Sequence, residues 1–177
     1  MPCPLFLDMM ILLFWLCAAG FVAVDFVTKV LAKAYITPGV PQTVIQIGER
    51  KILWFTLHYN TGAAFSSFTG QTIALSVVSV ILLAVVAVYF YKTPKNTFTT
   101  VVLAMIFGGG VGNLIDRIAF RQVTDFINLF PFNFIFNCAD IFVVIGAILI
   151  CIYGVFFDKS ASEKKTAADE AAENSAE

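Results

Sequence analysis

Four apolar stretches, each near the length a helix needs to cross a bilayer, set what this chain can fold into. A helical span takes about 20 apolar residues. Such stretches run from about residue 9 to 31, 72 to 91, 97 to 115 and 140 to 157. No water is available in the bilayer core, so backbone polar groups must be paired within each segment, and helices are the expected form. Composition agrees. Of 177 residues 59% are hydrophobic and 13% charged, with a mean hydropathy of +0.87, against about 25% charged in soluble domains. A net charge of -1 argues against a nucleic-acid partner. The first stretch could be read as a cleaved signal peptide, but it lacks a basic leading region and carries Asp8 instead. Leu16 before Cys17 is not the small residue of a lipoprotein cleavage site. The stretch is therefore read as a retained helix.

The segments between the spans carry other signals. In the first loop, about 33 to 71, Pro38, Gly39 and Pro41 stop the helix. Two β-rich runs, "TVIQI" and "ILWFTLHYN", flank the turn-like "GERK" and read as a hairpin. Trp54, Phe55 and Tyr59 suit a membrane–water interface. Lys92 to Asn96 is a short link, so spans two and three form an antiparallel pair. The second loop, about 118 to 137, holds Phe130, Phe132, Phe134 and Phe136 in alternation, which suggests a short extended segment on the bilayer surface. From 159 to 177 the chain is Ala, Glu, Lys and Ser without apolar period, the composition of a disordered tail. The four cysteines have no metal-ligand spacing, and neither disulfide nor metal is expected.

Counting spans places the polar residues. With four crossings, the end of span one, the start of two, the end of three and the start of four share one side. Asp25, Lys29, Asn60, Asn113, Asp116, Arg117, Asp125, Asn137 and Asp140 all fall on it. Basic residues do not identify the cytoplasmic side. Five lysines (Lys92, Lys95, Lys159, Lys164, Lys165) lie opposite the cluster, and Lys33, Arg50, Lys51 and Arg121 lie with it.

Most members of the cluster have a plain structural explanation. Asp25 and Lys29, four apart on one helix face, neutralise each other in a low-dielectric setting. Gly108 and Gly112 form a G-x-x-x-G that lets helices approach closely, and no strand precedes it as a dinucleotide-binding loop would need. Arg117 suits an interface anchor. "NTGAAF" at Asn60 reads as a turn. Asn137 and Asp140 have the spacing of a helix cap, and Asp125 alone reads as a loop residue. His58, the sole histidine, has no nucleophile or acid at useful spacing, and Ser76 and Ser79 lack an elbow motif. What remains is a carboxylate pair. Fourteen residues separate Asp125 from Asp140, none charged and five of them Phe. Two carboxylates brought together at the lipid boundary cannot easily both ionise, and they share a proton near neutrality. One then activates water while the other donates a proton, the chemistry of an aspartic peptidase.

Five ordered blocks carry a family resemblance: "DFVTK" at Asp25, "NTGAAF" at Asn60, "GGGVGNLIDR" ending at Arg117, "VTDF" around Asp125 and "FNCAD" ending at Asp140. In these, and from the first span to about Phe157, the chain resembles the lipoprotein signal peptidases (signal peptidase II) of bacteria. The resemblance implies a membrane all-α fold of four transmembrane helices with a small extracytoplasmic β hairpin. It implies cleavage of prolipoprotein signal peptides just before a diacylglyceryl-modified Cys, without a cofactor. It puts the catalytic dyad on Asp125 and Asp140, and substrate-binding or supporting roles on Asp25, Lys29, Asn60, Gly109, Asn113, Arg117 and Asn137. It also implies an inner-membrane location, cytoplasmic termini, a dyad near the outer face and sensitivity to the cyclic-peptide inhibitor globomycin. Membrane lipids are expected neighbours and the protein is expected to act as a monomer. Two departures stand out: Tyr59 occupies a position that is often polar, and Cys138 replaces a commoner aliphatic residue. Rival readings are a small transporter or channel component and a structural assembly factor. The first fits poorly, because the polar groups stop on one side of the bilayer and span two carries no charge.

Overall fold

A computed structural model describes residues 4–62, 71–93, 96–132 and 134–158. The polar tail, Lys95 and the later part of "NTGAAF" lie outside them. Among the described residues four helices are long and apolar enough to cross a membrane. They are α1 (Pro4–Tyr35), α2 (Thr72–Lys92), α3 (Thr97–Phe120) and α4 (Cys138–Tyr153), the last continued by a π-helical turn over Gly154–Asp158. Helix α1 has 32 residues. At 1.5 Å per residue it is about 48 Å long, which exceeds the roughly 30 Å hydrocarbon core. Its last turns carry a small sheet.

That sheet is antiparallel in the order β1-β2-β3-β4. Strand β1 (Gln42–Ile47) and β2 (Arg50–Asn60) form the expected hairpin, closed at Gly48, whose φ of 60° favours glycine. Strand β3 (Val123–Leu129) pairs with β2, and the two-residue β4 (Ile135–Phe136) pairs with β3. Here the structure corrects the sequence reading. Asp125 lies on a strand, not in a loop, and α3 reaches Phe120. Among the described residues of the Phe-rich stretch only Ile135 and Phe136 pair as strand, although the Phe132, Phe134 and Phe136 rings do pack in series. Ala32 and Ile36 at the end of α1 pack against Leu57 of β2 and Phe126 of β3, which fixes the sheet over the helix ends.

Helix α3 is the hub. It packs on α1, α2 and α4, and its glycines explain how. A Cβ on Gly108 would lie 2.7 Å from the Ala18 carbonyl oxygen of α1, and one on Gly109 2.6 Å from that of Ala139 in α4. One on Gly112 would run into the Asp25 carboxylate. The G-x-x-x-G thus serves α1, while Gly109 serves α4. Deeper in the bundle, Phe14 stacks on Phe90 at 4.1 Å beside Leu103 and Ala104. Gly108→Ala is expected to destabilise the bundle by about 1–3 kcal/mol, because the added methyl overpacks against the Ala18 carbonyl and the Phe21 side chain. A lowered midpoint of thermal unfolding in detergent checks it, and a midpoint equal to the parent's would refute the close-approach account.

Candidate active site

The polar residues gather where the helix ends meet β3. Helix α4 begins with a capping box: the Asn137 side chain accepts from the Asp140 N–H at 3.0 Å, and the Asp140 carboxylate accepts from the Asn137 N–H at 3.1 Å. The cap reading of this pair therefore holds, but it is incomplete. Asn137 is fully buried, and its amide nitrogen also donates to Asp125 Oδ1 at 2.6 Å and to Asn113 Oδ1 at 3.1 Å. One residue thus grips both carboxylates, Asp125 through its side chain and Asp140 through its backbone.

The remaining bonds fix each amide in one orientation. Lys29 has only donors, so the Asn113 oxygen faces it, at 3.0 Å from Nζ. The Asn113 nitrogen is then left to donate to Asp140 Oδ1 at 2.7 Å. Asn60, at the end of β2, accepts from the Gly62 N–H and donates to Asp125 Oδ2 at 2.9 Å. Each carboxylate therefore receives two hydrogen bonds from amide donors.

Beneath this layer sits a buried charge triad. Lys29 Nζ lies 2.7 Å from Asp25 and 3.2 Å from Asp116. Asp25 Oδ1 accepts from the Ala139 N–H, tying α1 to the start of α4. Asp116 Oδ2 accepts from the Thr124 N–H, tying α3 to β3 next to Asp125. In sequence Asp116 falls within the polar cluster without a site role of its own. The signal was present: Gly109, Gly112, Asn113 and Asp116 share one helical face at spacings of three and four. Arg117 is half-buried and within electrostatic reach of Asp140, Asp125 and Asp116, but it forms no ion pair among the described residues. Gly109 brings no polar group to the site. His58 is exposed, and it pairs with Asp125 in the β2–β3 register.

Burial, and then the nearby Asp140 carboxyl, push Asp125 up to about 7, against the hydrogen bonds from Asn60 and Asn137 and the charge of Lys29. Such a value suits a proton donor at neutral pH. Among the described residues no three His, Cys, Asp or Glu side chains form a metal-binding group.

The family described as signal peptidase (SPase) II matches residues 17–156, most of the chain and all of this cluster. The chain belongs to the signal peptidase II family. The lipoprotein signal peptidase of Caldanaerobacter subterraneus subsp. tengcongensis is 37% identical over 139 residues, covering 76% of this chain and 90% of the relative. That of Geobacillus thermodenitrificans is 33% identical over 149 residues, covering 82% and 91%. A bacterial membrane enzyme solved by the in meso method at 2.3 Å resolution is similar in structure, with a TM-score of 0.74, 34% identity and 85% and 90% coverage. This signal peptidase II family member is a multi-pass membrane protein whose fold matches a solved membrane enzyme.

Proposed function

We propose that this chain is an aspartic endopeptidase that removes signal peptides from diacylglyceryl-modified prolipoproteins, cleaving before the lipidated Cys. The observation that carries this reading is the double grip of Asn137 on Asp125 and Asp140. The names of the relatives support the substrate class.

The chemistry follows from one proton on the pair. With Asp125 protonated, Asp140 is the carboxylate. Asp140 takes a proton from water as the water oxygen attacks the scissile carbonyl carbon. Asp125 gives its proton to the carbonyl oxygen; as the C–N bond of the tetrahedral species breaks, Asp140 passes its proton to the leaving amine and a hydroxyl of the diol returns one to Asp125. Asn60, Asn113 and Asn137 hold the two carboxyls in register, and Lys29 of the charge triad holds Asn113, whose oxygen in turn accepts from Asn137. Arg117 supports the site through its charge, which lies within electrostatic reach of both carboxyls. Gly109 supports the site by letting α4 approach α3. The substrate's lipid anchor sets the depth of its scissile bond relative to the helix ends.

By the same reading the enzyme sits in the bacterial inner membrane with its termini in the cytoplasm. The pair lies near the outer face, and globomycin-type cyclic peptides inhibit it. Residues 159–177 form a cytoplasmic tail apart from the peptidase domain, and the enzyme acts as a monomer. The deciding assay is cleavage of a diacylglyceryl-modified precursor by the purified protein and by its Asp125→Asn and Asp140→Asn variants.

A pH profile follows. Asp125 is raised, so its proton is held below about pH 7 and lost above it. The singly protonated pair then gives way to the doubly ionised one, and kcat/KM should fall about tenfold per pH unit on the alkaline side. A profile that stays flat through about pH 9 would rule out the shared proton.

A further inference from the structure

Helix α2 leaves a seam beside α3. Only Thr72 and Phe90 of α2 are buried. Near the end shared with the active site, Ile73, Val77 and Ile81 recur at helical spacing and line one wall of an open groove of about 320 Å³. Leu114 and Ile118 of α3 line the other wall. Arg117 and Arg121 line it too, one turn apart. The Thr72 hydroxyl donates to the Arg121 carbonyl at 3.0 Å, so the two arginines mark the end of the groove where α2 begins. From there to Leu114 the groove runs inward by about 10 Å along α3.

Among the described residues neither arginine is in an ion pair, and the buried carboxylates Asp25 and Asp116 are taken by Lys29. Two cations at the mouth of an apolar slot that opens sideways to lipid complement one kind of molecule, an amphiphile with an anionic head and an acyl tail. Charge complementarity favours an anionic phospholipid over a zwitterionic one, and over the uncharged diacylglyceryl group of a prolipoprotein. We propose that the α2–α3 groove holds one anionic phospholipid, with its phosphate between Arg117 and Arg121 and an acyl chain along Ile73, Val77 and Ile81. The lipid fills the seam that the protein leaves open and supplies the arginines with a counter-charge.

Native mass spectrometry of the purified full chain tests this, with phosphatidylglycerol or phosphatidylcholine added at equal concentration. The wild type should retain one phosphatidylglycerol with about a tenfold preference, or roughly 1.4 kcal/mol. Arg121→Gln removes a head-group contact and Val77→Trp fills the slot, and each should bring the preference close to one. Lys51→Ala, at an exposed basic residue of the hairpin, should keep it. Equal retention of both lipids by the wild type overturns the proposal, as does an undiminished preference in both groove variants. A Val77→Trp protein that keeps its phosphatidylglycerol but shows a raised KM for the diacylglyceryl precursor would give the groove to the substrate instead. The lipid measurement does not depend on cleavage, so it stands or falls apart from the peptidase reading.

Discussion

Asp125→Asn and Asp140→Asn are each expected to lower precursor cleavage by about 10³-fold or more while the protein stays folded. Asn has the shape of Asp but can neither hold the shared proton nor take one from water. At Asp140 the loss is of the base. The capping box loses a charged acceptor, yet Asn remains a good acceptor at that position. At Asp125 the loss is of the acid, the group pushed up to about 7. Asp140→Asn removes a buried charge and Asp125→Asn replaces the carboxyl that carries the shared proton, so neither should lower the unfolding midpoint by much. Unfolding midpoint and cleavage are to be measured on the same preparations. A variant that melts like the parent and still cleaves near the parental rate would sink the dyad. Loss of activity together with collapse of the fold would leave Asn137→Ala as the discriminating variant. That change removes the side-chain donor to Asp125 but keeps the backbone N–H that Asp140 accepts from. It should therefore slow cleavage and raise the alkaline limit of the pH profile, because a donor favouring ionised Asp125 is gone.

Much of this arrangement was legible in the sequence, for reasons tied to particular residues. The spans were visible because lipid demands unbroken apolar runs. The hairpin was visible because Gly48 marks its turn between β-rich runs. Convergence of the polar residues followed from counting crossings, since helix ends leave few places for Asp25, Asn113 and Asp140 to lie. Strand β3 was hidden. Its residues from Val123 to Phe126 are all buried, so no alternation of apolar and polar residues announces a strand. With β3 hidden, the pairing of Asp125 beside Asn60 was hidden too, because it depends on the β2–β3 register across 65 residues. The double role of Asn137 was half visible. Its spacing to Asp140 showed a cap, but a cap reading gives no reason for the side chain's nitrogen to reach two further partners. The role of Asp116 was hidden for a related reason. In sequence Lys29 already had a partner four residues away, and only the fold shows that it serves a second carboxylate.

That second carboxylate makes Lys29→Met the change with the largest expected effect on stability. Lys29 is 3% exposed and lies between Asp25 at 1% and Asp116 at 6%. Removing the ammonium leaves two buried carboxylates without a counter-charge, a loss of about 3–5 kcal/mol. For a chain of this size that lowers the unfolding midpoint by on the order of 10 °C. Met has a similar length and an apolar stem, so lost packing contributes little. The effect should reach the active site as well. Asn113 loses one of the two donors to its oxygen, keeping only that of Asn137, so the nitrogen aimed at Asp140 is held less firmly. The double variant Lys29→Met with Asp25→Asn restores the original net charge of the triad and should recover part of the midpoint. It should recover less of the activity, because Asn113 still lacks its lysine donor. This split separates two roles for the lysine. Recovery of both properties together would mean that Lys29 only balances charge. A Lys29→Met protein that melts at the parental temperature would mean that the triad does not hold these helix ends together.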